Sequence, residues 1–264
     1  MRALICGLLV AFGLPLPAAA ADNTSAALIF YDAGSNQSLD PAEPQSTSGL
    51  AQLPLIAIYD SLIGHDDLGN LIPRLATEWH SNTSMTEFTM TLREGVTFHD
   101  GTTFDAAAVV ANIARSKALG LKAGTSVVDA VRDIVSVDAI DARTVRLRLR
   151  TPSGQMPYLL AAQGGMMIAP ASLTDAAFGT SLKPVGAGPY KVRVFEAAQK
   201  TVTDRFDGYW GGIKGRPASM EHHFVPDSSA RLNAFRPGCI QNLTPYLPTG
   251  SDRINDVRVG AGCK

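Results

Sequence analysis

The chain has 264 residues, with 23 basic and 24 acidic side chains, so it is long enough to form one large or two small domains. Its charge is nearly balanced and there is no run of lysine and arginine, which argues against a nucleic-acid partner because phosphate neutralisation dominates such binding. A chain of this length can bury a substantial core without disulfide bonds.

The N-terminus has the pattern of a secretory signal. A positive charge at Arg2 is followed by an apolar run to Pro17 and by small residues at 18–21. The apolar run is too short to span a bilayer, which takes about 20 residues. We therefore expect residues 1–21 to be a signal peptide that is removed on export to the periplasm. The alternative is a buried N-terminal helix.

Two cysteines, Cys239 and Cys263, remain after this cleavage. In an oxidising compartment they could form a disulfide, and they are the only pair available to do so. Two unpaired thiols are the alternative, because separation in sequence does not establish the geometry that a disulfide needs.

The first half of the exported chain is predicted to alternate strands and helices. The alternation of Phe88, Met90 and Leu92 with polar residues indicates a half-buried strand. Asp105 suits the N-cap of a helix, where a carboxylate accepts a free backbone N–H. The predicted elements are a strand at 27–31, a polar loop at 32–49, a helix from about 53 to 62, a turn at 66–70, a strand at 87–93, and helices at 105–115 and 126–132.

The second half is predicted to contain more strands. Arg146 and Arg148 alternate with apolar residues in one of them, a pattern more typical of a solvated sheet face than of a binding site. The predicted elements are strands at 134–137 and 144–149, a helix at 155–162, a short strand at 166–168, a hairpin of 189–196 with 201–205, a strand at 220–225, and a helix at 228–235 capped by Asp227. Paired strands mixed with helices indicate a mixed α/β, or α+β, fold.

The sequence offers no constellation typical of an enzyme or a metal site. His222 and His223 lie in a predicted strand, so their side chains point to opposite faces and cannot easily share one metal ion. His99 precedes Asp100 and Gly101, and Asp-Gly is a strong turn signal, so we interpret this run as a turn. We expect neither a cofactor nor enzymatic activity. A secreted enzyme with dispersed catalytic residues is the alternative.

Several motifs occur in an order shared with one family of binding proteins. They are LIPRLATEW at 71–79, EFTMTLREGVTFHDGTTF at 87–104, AVVAN at 108–112, PVGAGPY at 184–190, FDGYWGG at 206–212 and PDSSARLNAF at 226–235. Over roughly residues 27–259 the chain resembles extracellular solute-binding protein family 5, the periplasmic dipeptide-, oligopeptide- and nickel-binding group of ABC importers. The resemblance implies a lobe of the periplasmic-binding-protein fold, class II type, with mixed sheets.

Members of this family are about twice as long as this chain, so the resemblance implies an N-terminal half whose second lobe is absent. It implies a first-lobe subdomain at 22–50 together with 184–259, and an inserted subdomain at 51–183. Residues 260–264 then form a ragged C-terminus.

Two segments are the predicted ligand contacts. They are Gln45, Ser46, Thr47 and Ser48 in the first segment and Gln163, Gly164 and Gly165 in the second. Loops similar to the first segment line the cleft in the family, and its hydroxyls and amide suit hydrogen bonding to a polar solute; an ordinary surface loop is the alternative. The glycines of the second segment would allow close backbone approach. Nickel-binding relatives have an arginine near that segment, so Met166 and Met167 here favour a peptide-like solute.

The resemblance therefore implies a monomeric solute-binding component of an ABC-type importer. Its partners would be a peptide-like small molecule and a permease in the inner membrane. A truncated remnant without independent binding activity is the alternative within the same family.

Overall fold

The computed structural model describes residues 27–34, 36–44, 52–174, 178–212, 216–235 and 242–243. Its α-helices are α1 (Gln52–Ile58), α2 (Ala106–Leu119), α3 (Thr125–Val131), α4 (Met156–Leu160) and α5 (Ser228–Phe235). The predicted signal peptide, the segment 45–48, both Cys239 and Cys263, and the C-terminus lie outside the described residues.

The first sheet has five strands drawn from the two ends of the described chain. In spatial order they are β11 (Asn242–Leu243), β1 (Ala27–Asp32), β10 (Ser219–Phe224), β9 (Lys200–Arg205) and β8 (Tyr190–Glu196). β1 runs parallel to β10 and β11, whereas β8, β9 and β10 pair antiparallel. Parallel pairing needs a crossover connection, and here the crossover from β1 to β10 contains nearly all of the remaining structure.

The second sheet is antiparallel and lies within that crossover. Its strands, in spatial order, are β4 (Ala76–Ser81), β5 (Glu87–Leu92), β7 (Thr144–Leu149) and β6 (Ile134–Ala139). Phe88, Met90 and Leu92 are buried, as their alternation predicts. Together with Val109 and Ile113 of α2 they belong to the largest apolar core of the described chain.

The opposite face of the second sheet is charged. The guanidinium of Arg148 lies 2.8 Å from Asp138 and 3.2 Å from Glu87, so it faces the carboxylates of both neighbouring strands. These side chains are 37–46% exposed, as expected for the solvated face that the arginine alternation predicted. Ion pairs this exposed contribute little stability.

Helix α1 packs its apolar face against the first sheet. Leu55, Ile58 and Tyr59 are buried there with Leu39 and Ile168 in a second, smaller core. The Tyr59 hydroxyl donates to the backbone oxygen of Leu39 over 2.9 Å, which ties the segment after β1 to the end of the helix.

A short hairpin links α1 to the second sheet. It consists of β2 (Ile63–His65) and β3 (Leu71–Pro73), and the predicted turn at 66–70 connects them. Asp66 accepts the backbone N–H groups of Leu68 and Asn70, at 2.9 and 2.8 Å, which is the local pairing that favours aspartate in turns.

Most predicted elements are confirmed, but two predictions were wrong and four strands were missed. The predicted helix at 53–62 ends at Ile58, because the chain then forms a bridge between Ser61 and Met166 and enters β2. The predicted strand at 166–168 forms only two isolated bridges. No strand was predicted at β2, β3, β4 or β11.

The mixed α/β fold class is confirmed by the two sheets and the helices packed on them. The division into subdomains at 22–50 with 184–259, and at 51–183, stays a prediction. Across the described residues, no helix is both long enough and apolar enough to cross a bilayer.

Candidate functional site

The described chain has a shallow depression at one edge of the first sheet. β1 and β10 are parallel with Asp32 opposite Phe224, so both strands end at the same edge. In open sheets with parallel strands, ligands bind in the crevice at the carboxyl ends of those strands. The depression here is shallow and open, with a cavity volume of about 20 Å³, and it lies between Asp32, Gly34 and Asn36, Pro54 of α1 and the turn of the β8–β9 hairpin.

Backbone hydrogen bonds hold the rim of this pocket together. Ala198, at the tip of the β8–β9 hairpin, donates its N–H to the backbone oxygen of Asn36 over 2.9 Å. Phe224 donates to the oxygen of Gln199 over 2.8 Å, and Gly34 donates to the Asp32 carboxylate over 2.9 Å. The loop after β1 is thus fixed to the hairpin that faces it.

His222 gives the pocket floor its chemical character. Its ring stacks on Phe30 with centroids 4.5 Å apart and planes 5° from parallel. Burial, helped by the neighbouring charge of His223, lowers the pKa of His222 to about 4. The ring is therefore neutral at pH 7, with one nitrogen able to donate a hydrogen bond and the other able to accept one.

Asp32 supplies a carboxylate at the same edge. Burial raises the pKa of Asp32, opposed by hydrogen bonds from the backbone of Gly34 and Ala33 and by the charge of Arg231. The carboxylate is thus held by the chain's own backbone.

Three buried polar atoms of the pocket find no hydrogen-bond partner among the described residues. They are both carboxamide atoms of Asn36 and Nε2 of His222. Leaving a buried polar group unpaired costs about 1–3 kcal/mol. Sequence reasoning missed these residues, because the parallel pairing of β1 with β10 that brings them together has no local signal.

The predicted contact segment Gln163–Gly165 is a buried 3-10 helix packed between α3 and α4. A side chain at Gly164 would collide with Ala130, and one at Gly165 would collide with the backbone of Leu160. The close approach that the glycines permit is thus made to the protein's own helices. The role of this segment in ligand binding stays a prediction, as does that of Gln45, Ser46, Thr47 and Ser48.

A buried carboxylate joins the two halves of the described chain. Asp60 accepts from Arg74 and from the Trp210 indole, each over 2.8 Å, and from the Tyr209 hydroxyl over 3.2 Å. Burial and the charge of Asp60 raise the pKa of Tyr209 to about 12. Arg93 also stacks on Trp210, 4.0 Å from the ring centroid. The sequence gave no sign that Trp210 has an acidic partner.

A second buried carboxylate anchors the loop after β1. Asp40 pairs with Arg115 of α2 and accepts the backbone N–H groups of Ala42 and Gly179, each over 2.9 Å. The chain is thereby fixed just before the predicted contact segment at 45–48.

His99 acts as a neutral clamp rather than as half of a catalytic pair. Its Nδ1 accepts the N–H of Gly186 at 3.3 Å and its Nε2 donates to the oxygen of Gly188 at 2.9 Å. Burial lowers the pKa of His99, consistent with this neutral form. The predicted turn is confirmed by Gly101, whose φ of +86° favours glycine.

The two adjacent histidines face opposite sides of β10, as their position in a strand predicted. His222 stacks on Phe30, whereas His223 stacks on Tyr31 and lies 3.1 Å from Glu221. Within the described residues, no three or more His, Cys, Asp or Glu side chains are grouped so that they could hold a metal ion.

Comparison with solved structures identifies the fold. The periplasmic binding protein AgaA from A. tumefaciens R10, in complex with agropinic acid, matches 82% of this chain with a TM-score of 0.74 and 28% identity, over 43% of its own length. The periplasmic binding protein DppA from Helicobacter pylori, in complex with the peptide STSA, matches 85% of this chain with a TM-score of 0.72 and 25% identity, over 47% of its length. The predicted periplasmic-binding-protein fold is confirmed.

Comparison of sequences agrees with this result. The glutathione-binding protein GsiB of Escherichia coli K12 is 31% identical over 240 residues, which are 90% of this chain and 46% of GsiB. The chain therefore spans about half the length of the curated relatives that it matches. These relatives are binding proteins, which confirms the prediction of a non-enzymatic protein.

The family model described as bacterial extracellular solute-binding proteins, family 5 Middle, matches residues 70–257. The matched segment contains Tyr209 and Trp210, which donate to Asp60, and it contains the whole second sheet and the strands β8 to β10. This chain belongs to the bacterial extracellular solute-binding proteins of family 5.

Proposed function

We propose that this chain is the first lobe of a periplasmic solute-binding component of an ABC-type importer, and that its solute is peptide-like or a similar polar small molecule. The observation that supports this most strongly is the family match over residues 70–257. The names of the relatives point to polar solutes rich in amide and carboxyl groups: GsiB binds glutathione, and DppA was solved with a peptide.

The proposed mechanism is closure of two lobes around the solute. A solute that contacts both lobes favours the closed state, whereas a solute that contacts only one lobe has no differential affinity and drives no closure. In this chain the buried Asp60 and Asp40 pairs keep the lobe rigid, and the carboxyl edge of β1 and β10 presents polar groups. We expect the described lobe to bind weakly alone and tightly when a second lobe covers it.

Export and delivery complete the proposed function. We propose that residues 1–21 are removed, that the product is a periplasmic monomer, and that it delivers solute to an inner-membrane permease. Intact mass spectrometry of the protein recovered from the periplasm of an expressing bacterium tests the first step. A mass that retains residues 1–21 would contradict it.

Ligand-induced stabilisation tests the binding function itself. The melting temperature of the purified chain is measured against rising concentrations of glutathione, the tetrapeptide STSA and agropinic acid. A ligand that binds only the folded state raises the melting temperature, and the rise grows with the ratio of its concentration to its dissociation constant. We expect the peptides to stabilise the chain, and a flat response to all three compounds would count against independent binding.

A lobe without independent binding activity is the second candidate, since a solute that contacts only one lobe drives no closure. The same titration is repeated after mixing the chain with the separately expressed C-terminal half of E. coli GsiB. Binding that appears only in the mixture supports the first-lobe function. No stabilisation in either sample would contradict the first-lobe function.

A further inference from the structure

Two arginines lie against the aromatic pair formed by Tyr209 and Trp210. The guanidinium of Arg93 is 4.0 Å from the centre of the Trp210 ring, and the guanidinium of Arg216 is 5.2 Å from the centre of the Tyr209 ring. Both distances are within the range of cation–π attraction. A ring face attracts the charge of a guanidinium, but the N–H groups at the edge of that guanidinium still need oxygen acceptors.

The protein supplies such an acceptor for only one nitrogen of each of these side chains. Nε of Arg93 donates to the backbone oxygen of Arg74 over 2.8 Å, and Nε of Arg216 donates to that of Gly212 over 3.1 Å. Among the described residues, the two terminal nitrogens of each arginine have no acceptor, and none of these nitrogens is fully buried. Each side chain therefore presents a pair of N–H donors to solvent.

The acidic side chains of this region are already paired with other arginines. The pairs, each with its nitrogen and oxygen atoms 2.8–3.1 Å apart, are Asp60 with Arg74, Glu94 with Arg143, and Asp207 with Arg205. Arg93 and Arg216 therefore leave a local excess of positive charge. The whole chain has 23 basic and 24 acidic residues, so this excess belongs to the surface and not to the overall composition.

Both arginines are also held in place before any partner binds. An exposed arginine that is free to move loses side-chain entropy when it binds an anion, and this loss offsets much of the attraction. A hydrogen bond from Nε together with a ring against the guanidinium fixes its position in advance, which lowers that cost. The outer edge of a guanidinium matches the two oxygens of a carboxylate. Arg93 and Arg216 are thus prepared to bind carboxylates.

We propose that Arg93 and Arg216 form a binding surface for an acidic segment of a partner protein. The two rings have centroids 5.4 Å apart, and each arginine lies over its own ring, so the surface offers two separate pairs of donors. Two acidic side chains close together on one segment can fill both pairs, whereas a single carboxylate fills one. The proposal concerns the described lobe alone and goes beyond the binding of solute.

Titration with a tetraglutamate peptide that has blocked termini tests this surface. The NMR signal of the Trp210 indole N–H, one of two indoles in the chain, is followed in the purified full chain. Tetraglutamine and phosphate are the comparison ligands at the same ionic strength. We expect a saturable shift with tetraglutamate that weakens at higher salt, and none with tetraglutamine. No saturable shift with tetraglutamate would overturn the proposal. Equal affinity for phosphate would overturn the assignment to a protein segment and leave a site for small anions.

Substitutions locate the binding. Arg93→Gln and Arg216→Gln should each weaken tetraglutamate binding about fivefold, which is the upper end for an exposed ion pair. Arg150→Gln removes the same charge from an exposed side chain that makes no hydrogen bond or ring contact among the described residues, and it should change the affinity by less than about twofold. Equal weakening by all three substitutions would show attraction by net charge alone and would contradict the proposal. The circular dichroism spectrum and melting temperature are recorded for each variant, and Arg216→Gln carries the test if Arg93→Gln does not fold.

Competition separates this surface from the proposed solute site. Glutathione should not displace tetraglutamate, and Arg216→Gln should leave any thermal shift produced by glutathione unchanged. Displacement by glutathione would overturn the proposal, because the acidic peptide would then be bound as a solute. If glutathione and the other solutes do not bind, tetraglutamate binding that depends on Arg93 and Arg216 supports the surface while the proposed function fails.

Discussion

The two polar regions inside this molecule differ in how completely their hydrogen bonds are satisfied. Around Asp60, one buried carboxylate receives a guanidinium, an indole and a phenol, all within 3.2 Å. At the edge of β1 and β10, Asn36 and His222 keep three buried polar atoms for which the described chain supplies no partner. A completed network of buried hydrogen bonds holds its members in one arrangement, whereas each buried polar atom without a partner costs about 1–3 kcal/mol. We therefore regard the Asp60 network as scaffold and expect the unpaired atoms at the edge of β1 and β10 to lower the stability of the fold.

Removal of the Asp60 carboxylate should have the largest effect. Asp60→Ala leaves Arg74 partly buried without its carboxylate partner and leaves the Tyr209 hydroxyl and Trp210 indole without their acceptor, so we expect a loss of about 3–5 kcal/mol in the free energy of unfolding. Urea denaturation measures it. Glu94→Ala, which breaks an exposed pair with Arg143, is the control and should change stability by about 0.5 kcal/mol or less. Similar losses in the free energy of unfolding for the two variants would show that the buried Asp60 network stabilises the fold no more than an exposed ion pair does.

Acid should destabilise the chain through His222. Its pKa in the folded state is about 4, below the ordinary value near 6.5, so the unfolded chain takes up the proton first. Stability is therefore fully present above about pH 6.5 and decreases as the pH falls towards 4, by about 3 kcal/mol in all. The measurement is the difference in urea midpoint between the parent chain and His222→Phe across this range. If the urea midpoints of the two proteins change in parallel with pH, His222 is not buried as a neutral ring.

The pH profile also separates the two histidines that burial holds neutral. Burial also lowers the pKa of His99, and the charge of Lys191 lowers it further while the charge of Asp100 raises it. Protonation of His99 in acid therefore destabilises the folded state as well. The loss of stability in acid that comes from His99 remains in the His222→Phe variant and disappears in the His99→Gln variant. The two single variants should therefore remove different parts of the acid sensitivity.

Gly165→Ala should distinguish packing from ligand contact in the predicted segment. A methyl group at this position meets the backbone of Leu160, and overpacking of this kind costs about 1–3 kcal/mol. If the segment is scaffold, the variant loses stability but keeps its affinity for any ligand found by thermal shift. Gly154→Ala is the matched control, since only the Met85 sulfur is near a methyl group there. A loss of affinity without a loss of stability would instead support the predicted ligand contact.

Local patterns explain what the sequence could predict of the fold. Alternating residues such as Phe88 and Met90 define β5, and Asp105 and Asp227 cap α2 and α5, accepting the N–H of Ala108 and of Ala230. Each of these signals lies within a few residues. Strand β4 was missed because only Ala76 in it is buried, so its pairing with β5 left no alternating pattern.

The candidate site was less predictable, because it depends on contacts between distant parts of the chain. Asp60 lies far in sequence from Trp210, and Asn36 lies far from the tip of the β8–β9 hairpin, so these contacts leave no local pattern. The glycines at 164 and 165 were singled out for close backbone approach, and the structure shows such an approach to Ala130 and Leu160. A motif can therefore identify a position that demands glycine without identifying the neighbour that demands it.

The smallest expected effect concerns stability at neutral pH. His222→Phe keeps the aromatic stack on Phe30 and removes a buried nitrogen that has no partner in the described chain, so we expect a gain of about 1 kcal/mol in the free energy of unfolding. The urea midpoint at pH 7.5 measures it, with His80→Phe as the exposed control. A more stable variant would show that the unpaired ring nitrogen lowers the stability of the parent protein. A destabilised variant would mean that the ring nitrogen is already satisfied and that the edge of β1 and β10 is scaffold like the rest.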